Sequence, residues 1–142
     1  MFYRCKVLEV MSTPAVYVPV HASLSDALAL MTGRNIRQLP VISDEGPMVG
    51  MLRESDVREA LRSGIDATVE AVMRPCEVII NPDATLREAA HRMREYGVTE
   101  LPVVMDGIVV GVITASDMIR RADQESVDNL LARSGFSAWN DA

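Results

Sequence analysis

The sequence predicts an α/β fold of two β-α-β-β-α units, related by a pseudo-twofold axis and packed through their sheets. Three observations carry this expectation. Residues 10–42 align without a gap on residues 72–104, so the chain repeats itself once. Each copy holds a capped helix with apolar residues at i, i+3, i+4 and i+7, the spacing of one buried stripe. Each copy then continues into two short apolar runs joined by a turn, the pattern of a hairpin.

The repeat is carried by paired identities: Val10-Met11 with Val72-Met73, Val16 with Val78, Ala22 with Ala84, and Leu39-Pro40-Val41 with Leu101-Pro102-Val103. Leu24, Ala27, Leu28 and Met31 correspond to Leu86, Ala89, Ala90 and Met93 as the helix stripes. One residue drops out in the hairpin turn, after which Val49-Gly50 pairs with Val110-Gly111 and Ser55-Asp56 with Ser116-Asp117.

A short strand is expected near Val16–Val18 and again near Val78–Ile80. The first helix opens at Ser23, with Asp26 in its first turn, and its counterpart at Thr85, where Glu88 completes a Thr-x-x-Glu capping box. Strands follow at Gln38–Ile42 and Met48–Leu52, then at Leu101–Met105 and Ile108–Ile113. Asp106-Gly107 is a two-residue type I′ signal, whereas Ser43–Pro47 makes a longer loop. Ser55 or Asp56, and Ser116 or Asp117, stand where a second helix needs its N-cap.

The expected organisation is a lead-in over residues 1–9, units over 10–62 and 72–122, and a helical tail over 123–142. The tail carries Val127, Leu130 and Leu131 at helical spacing, then Phe136 and Trp139 as candidates for a contact with a partner.

Composition narrows the function. Fourteen Lys and Arg against twenty Asp and Glu give a net charge of -6, the wrong sign for neutralising a nucleic-acid backbone. Two cysteines, Cys5 and Cys76, stand far apart with no Cys-x-x-Cys, so neither a disulfide framework nor a metal site is expected. Charges fall where a signal peptide needs its apolar core, and no apolar run reaches membrane length, so a cytoplasmic location without membrane contact is expected. His21 and His91 have no nucleophile or acid at a supporting spacing, so no catalytic residue is assigned.

Two features suit a ligand. Proline at the same place in both strands, Pro40 and Pro102, removes a ladder donor and leaves backbone groups free to meet a flat heterocycle, or serves only to blunt an edge. The pair Arg53-Glu54-Ser55-Asp56 and Thr114-Ala115-Ser116-Asp117 sets a carboxylate and hydroxyls between a strand and a helix. There the carboxylate can accept two hydrogen bonds from a ribose diol while amides and hydroxyls reach phosphate oxygens, or the residues simply cap the helix.

Val-Met, the capped helix, Leu-Pro-Val, Val-Gly and Ser-Asp, recurring in that order in both halves, resemble a pair of cystathionine-β-synthase-type (CBS) domains forming a Bateman module, over residues 10 to about 122. The resemblance implies a non-catalytic sensor with two clefts for an adenosine-type ligand: AMP, ADP, ATP or S-adenosylmethionine. It implies ribose contacts at Asp117 and Asp56. The family pattern of Thr or Ser, two residues, then Asp is met by Thr114 and Asp117, but Arg53 replaces the hydroxyl in the first half. It further implies base contacts from Thr13, Pro14, Ala15 and Val16 with Leu39 and Pro40, and from Pro75, Cys76, Glu77 and Val78 with Leu101 and Pro102.

Arg37 and Gln38 precede the first Leu-Pro and suit phosphate, while Thr99 and Glu100 precede the second. A carboxylate near a triphosphate repels it, which favours AMP, ADP or S-adenosylmethionine over ATP. The resemblance also implies a homodimer and, with no effector domain attached, an effector protein as partner; the rival expectation is a ligand-free dimerisation module.

Overall fold

A computed structural model describes residues 4–133. Strand β1 (Val18–Pro19), helix α1 (Leu24–Arg34), strands β2 (Gln38–Ile42) and β3 (Met48–Arg53) and helix α2 (Glu54–Arg62) form the first half. A short helix α3 (Val69–Val72) leads to α4 (Leu86–Tyr96), β4 (Glu100–Met105), β5 (Ile108–Thr114) and α5 (Ala115–Arg133). The first sheet has the order β1-β2-β3, with β1 parallel to β2 and β2 antiparallel to β3; β4 and β5 form an antiparallel pair. The second copy of β1 is reduced to a single parallel bridge, Ile80 to Val103.

Local chemistry sets the helix ends. The Ser23 hydroxyl accepts the Asp26 N–H at 3.0 Å and the Thr85 hydroxyl accepts that of Glu88 at 3.2 Å. Asn35 and Gly97, both left-handed, close α1 and α4. Asp106 and Gly107, at φ 52° and 82°, make the tight turn that their sequence specifies.

Two N-caps fall earlier than the sequence suggested. Helix α2 starts at Glu54 with Arg53 as an N-cap that makes no side-chain cap bond. At the start of α5, the Thr114 hydroxyl accepts the Asp117 N–H at 3.0 Å and the Asp117 carboxylate accepts the Thr114 N–H at 3.1 Å. Ser55, Asp56, Ser116 and Asp117 are therefore first-turn residues, because the strands run on to Arg53 and Thr114. Helix α5 continues without a break past residue 122, and the expected contact through Phe136 and Trp139 lies outside the described residues.

There are two cores, one per half. The first gathers Leu24, Ala27, Met31, Leu39, Val41, Leu52 and Val57; the second gathers Ile80, Leu86, Ala89, Met93, Leu101, Val103 and Ile113. Each is completed by a residue from the segment that leads into the other half. Val69, which precedes the second copy, is buried in the first core, and Val7, which precedes the first copy, is buried in the second. The backbone follows: Val69 N–H donates to the Ala22 carbonyl at 2.9 Å and Val7 N–H to the Ala84 carbonyl at 2.8 Å.

The exchange continues for five residues. Ser12 pairs with Val112 of β5, and Arg74 with Met51 of β3, each through two backbone hydrogen bonds of 2.8–3.2 Å. The Val-Gly motif exists for this crossing. A Cβ on Gly50 would lie 2.8 Å from Met73 Sδ and 3.0 Å from the Arg74 carbonyl oxygen, and one on Gly111 would lie 2.7 Å from Met11 Sδ and 3.0 Å from that of Ser12.

Candidate functional site

The exchanged segments build two cavities between the halves. The first, about 470 Å³, is lined by Ser12, Pro14, Ala15, Val16, Asn35, Ile36, Arg37 and Gln38 of the first half and by Thr99, Glu100, Val112 and Thr114 of the second. Its volume is within the range of small-molecule sites. The second, about 260 Å³, is lined by Arg74, Pro75, Cys76, Glu77, Val78, Tyr96, Val98, Glu100 and Pro102, with Gln38, Met51 and Arg53 across from them. Gln38 and Glu100, counterparts in the repeat, stand in the wall common to both.

The lead-in of each half thus meets the last strand of the other, so Pro14–Val16 share a cavity with Thr114 and Pro75–Val78 share one with Arg53. Several expected contacts lie elsewhere. Leu39 and Leu101 are fully buried in the cores, because alternate strand residues point inward and Leu fills that face. Pro40 is buried and off the wall of the first cavity, while Pro102 lines the second. Thr13 and Ser116 are exposed and line neither. Although β2 is the middle strand, β1 pairs only with Val41 and Ile42, so the sheet is open beside Pro40.

Both carboxylates expected to meet a ribose have partners within the chain. Asp117 is 7% exposed, bound to Thr114 and to Arg120 one turn on. Asp56 takes a two-point contact from Arg74, Nε to Oδ2 at 2.7 Å and an η-nitrogen to Oδ1 at 2.9 Å. These Arg74 hydrogen bonds hold the Asp56 carboxyl below its ordinary value against a smaller opposing effect of burial, helped by the charges of Arg74 and Arg53.

A carboxyl depressed in the folded state stabilises fully above its unfolded value of about 3.9 and loses that contribution as pH falls through the lower folded value. Carboxyl NMR of Asp56 should therefore show a midpoint below about 3.9, moving up toward it in Arg74→Ala. A midpoint that the substitution leaves in place would remove Arg74 as the cause.

Burial pushes the Glu100 carboxyl up, so its charge is costly to keep on the shared wall. Burial also pushes up the Cys76 thiol, partly offset by hydrogen bonding with the Val78 backbone and reinforced by Glu77. Neither cysteine forms a disulfide among the described residues, and no group of three or more His, Cys, Asp or Glu fit to hold a metal ion occurs among them.

Arg58 and Arg62 escaped the sequence reading. They line a groove of about 440 Å³ together with Arg37, Gln38, Arg53, Glu54 and Ser55. The signal lay in the helical spacing of Arg58 and Arg62, one turn apart on α2, but at that spacing they read only as surface ion pairs with Glu54 and Glu59.

A family model described as the CBS domain matches residues 7–63 and, a second time, residues 69–123. The chain belongs to the CBS domain family. Both matches start at the exchanged valines, Val7 and Val69. A CBS pair is in general a regulatory module.

The chain is 31% identical over 124 residues to an A-adding tRNA nucleotidyltransferase of Aquifex aeolicus, a match covering 87% of this chain and 15% of that protein. It spans 15–41% of the length of four of the curated relatives it matches. The CBS domain pair of protein MJ0100, solved in complex with 5′-methylthioadenosine and S-adenosyl-L-methionine, has a TM-score of 0.74 at 26% identity, covering 85% of this chain and 98% of that one. CBSX2, solved in complex with AMP, has a TM-score of 0.73 at 26% identity with the same coverage. No helix among the described residues is long and apolar enough to cross a membrane.

Proposed function

We propose that this CBS pair is a non-catalytic regulatory module that binds an adenosine-type ligand in the first cavity and passes the result on by a change of shape or association. The observation that carries the reading is the cavity itself. Its walls come from both halves, so a ligand seated there favours one relative placement of the units by its difference in affinity for the alternatives. Pro14, Ala15, Val16 and Ile36 offer apolar surface for a base, Thr114 a hydroxyl and Arg37 a cation. The complexes of MJ0100 and CBSX2 with adenosine compounds support the ligand class.

In this reading the protein is a homodimer that hands its state to an effector protein. Ile119 and Val127 on α5, at 61% and 51%, are large apolar side chains exposed among the described residues and suit such contacts. A ligand-free dimerisation module is the second reading, favoured by Asp56 being already held by Arg74.

Thermal unfolding with AMP, ADP, ATP, S-adenosylmethionine and a guanosine control distinguishes the two. At a hundredfold excess over Kd a ligand adds about 2.7 kcal/mol, several degrees in Tm. The rise is expected with adenosyl ligands only and is lost in Ala15→Phe, which fills the cavity while Thr114 and Asp117 stay unsubstituted. Asp117→Ala tests the ribose assignment. No rise with any ligand would leave the dimerisation reading standing.

A further inference from the structure

We propose that Glu100 couples ligand binding to the proton: an anionic adenosyl ligand binds with uptake of a proton at this carboxyl, and a cationic one binds against the ionised carboxylate. The ligand class rests on the reading above; the role of Glu100 stands on its place in the wall.

Glu100 opens β4, where strand alternation sends Leu101 and Val103 into the core and leaves Glu100 and Pro102 on the cavity side. It lines both cavities, so an occupant of either one meets the same carboxyl. The fold does not demand a charge there. Gln38 stands at the counterpart position, opens β2 in the same way and lines the same two spaces. The shared wall thus takes an amide from one half and a carboxyl of the same shape from the other.

The carboxyl is uncommitted. Among the described residues it makes no hydrogen bond and no ion pair, unlike Asp56 and Asp117, which are held by Arg74 and Arg120. The charged and titratable side chains that line the cavities with it are Arg37 in the first and Arg53, Arg74, Cys76, Glu77 and Tyr96 in the second. Arg74 is engaged by Asp56, neither Arg37 nor Arg53 pairs with Glu100, and Glu77 adds a second negative charge. Burial therefore raises the Glu100 carboxyl with no cation to bring it back.

A ligand alters that balance by its own charge. An anion in the cavity raises the carboxyl further and a cation lowers it, so a proton is taken up with the first and released with the second. The sign follows: as pH rises through the range where Glu100 ionises, affinity for the anion falls, by up to about tenfold per pH unit, and affinity for the cation rises. A residue that only filled the wall would shift both ligands the same way.

Isothermal titration of the full chain with AMP and with S-adenosylmethionine, from about pH 5 to about pH 7.5, tests this on the parent and on Glu100→Gln. The variant places in the second half the side chain that the first half already carries, and the ligands' own titrations are common to both proteins. At about pH 7.5 Glu100→Gln is expected to bind AMP about tenfold tighter and S-adenosylmethionine about tenfold weaker than the parent, as for one pH unit of displacement in each direction. Both gaps should narrow toward pH 5, where the parent carboxyl takes up its proton. The reverse change at the symmetric place, Gln38→Glu, should weaken AMP and strengthen S-adenosylmethionine. If one ligand alone binds, the sign of its shift decides. Shifts of both ligands in the same direction, unchanged affinities, or a gap that is equal at every pH overturns the proposal and leaves the adenosine reading intact; no binding of either ligand overturns both.

Discussion

Val7→Ala is expected to destabilise the protein by about 2 kcal/mol in urea unfolding, although residue 7 precedes both repeats as the sequence first shows them. Two carbons leave a fully buried position, at about 0.8 kcal/mol each, and the space they leave adds a cavity cost. The damage falls on the second half, whose Ile80, Leu86 and Ile113 share the core with Val7. Amide exchange should quicken at Leu86, whose N–H donates to the Cys5 carbonyl at 2.9 Å. Neighbouring Leu8, 46% exposed, is the control, with Leu8→Ala costing under about 0.5 kcal/mol. Similar losses for the two variants would show that the lead-in does not dock where Val7 places it.

Gly111→Ala is expected to cost a further loss of the same size, about 1–3 kcal/mol, for the opposite reason. The added methyl meets Met11 Sδ at 2.7 Å, a contact a flexible side chain can relieve, but also the Ser12 carbonyl oxygen at 3.0 Å, which is backbone and paired with Val112. Adding Met11→Ala should recover part of the loss but not all, giving a coupling of about 0.5 kcal/mol or more between the two sites. Ser12 and Val112 both line the first cavity, so the strain also weakens any ligand held there. Gly33→Ala provides the contrast: it lies in α1 with nothing within 4 Å of the added atom, and alanine there should stabilise by about 0.5–1 kcal/mol. Were Gly111→Ala neutral, the crossing would be looser than these distances describe.

What the sequence made legible was what neighbours in the chain decide. Ser23 and Thr85 announce their helices because a cap acts over three residues, and Asp106-Gly107 announces its turn because two φ angles do. The repeat itself followed from identities at a fixed spacing. The exchange of lead-ins was hidden because Val7 and Val69 read as isolated valines, and their partners Ala84 and Ala22 are remote in sequence. For the same reason Pro14–Val16 were grouped with their own Leu39-Pro40 instead of with Thr114. The caps were misplaced by up to three residues because Arg53 carries no capping signal and the strands extend to meet it. Glu100 was recognised as a charge; that it stands between two cavities is a property of the assembled halves alone.

The crossing of the lead-ins also dictates a timetable for synthesis. Residues 7–12 leave the ribosome about 100 residues before β5, which Ser12 must pair with, so at 5–20 residues per second they wait roughly 5–20 s. Val7 waits for Ile80, Ala84 and Leu86, about 75 residues behind it, and the Ser12 backbone waits longer, for Val112. The first half meets no such delay, since α3 arrives within a few residues of α2 and closes its core at once. A nascent chain paused between the two halves therefore presents one finished unit preceded by an unclaimed lead-in, a single turn over Val7–Glu9 followed by a lone bridging residue, Ser12.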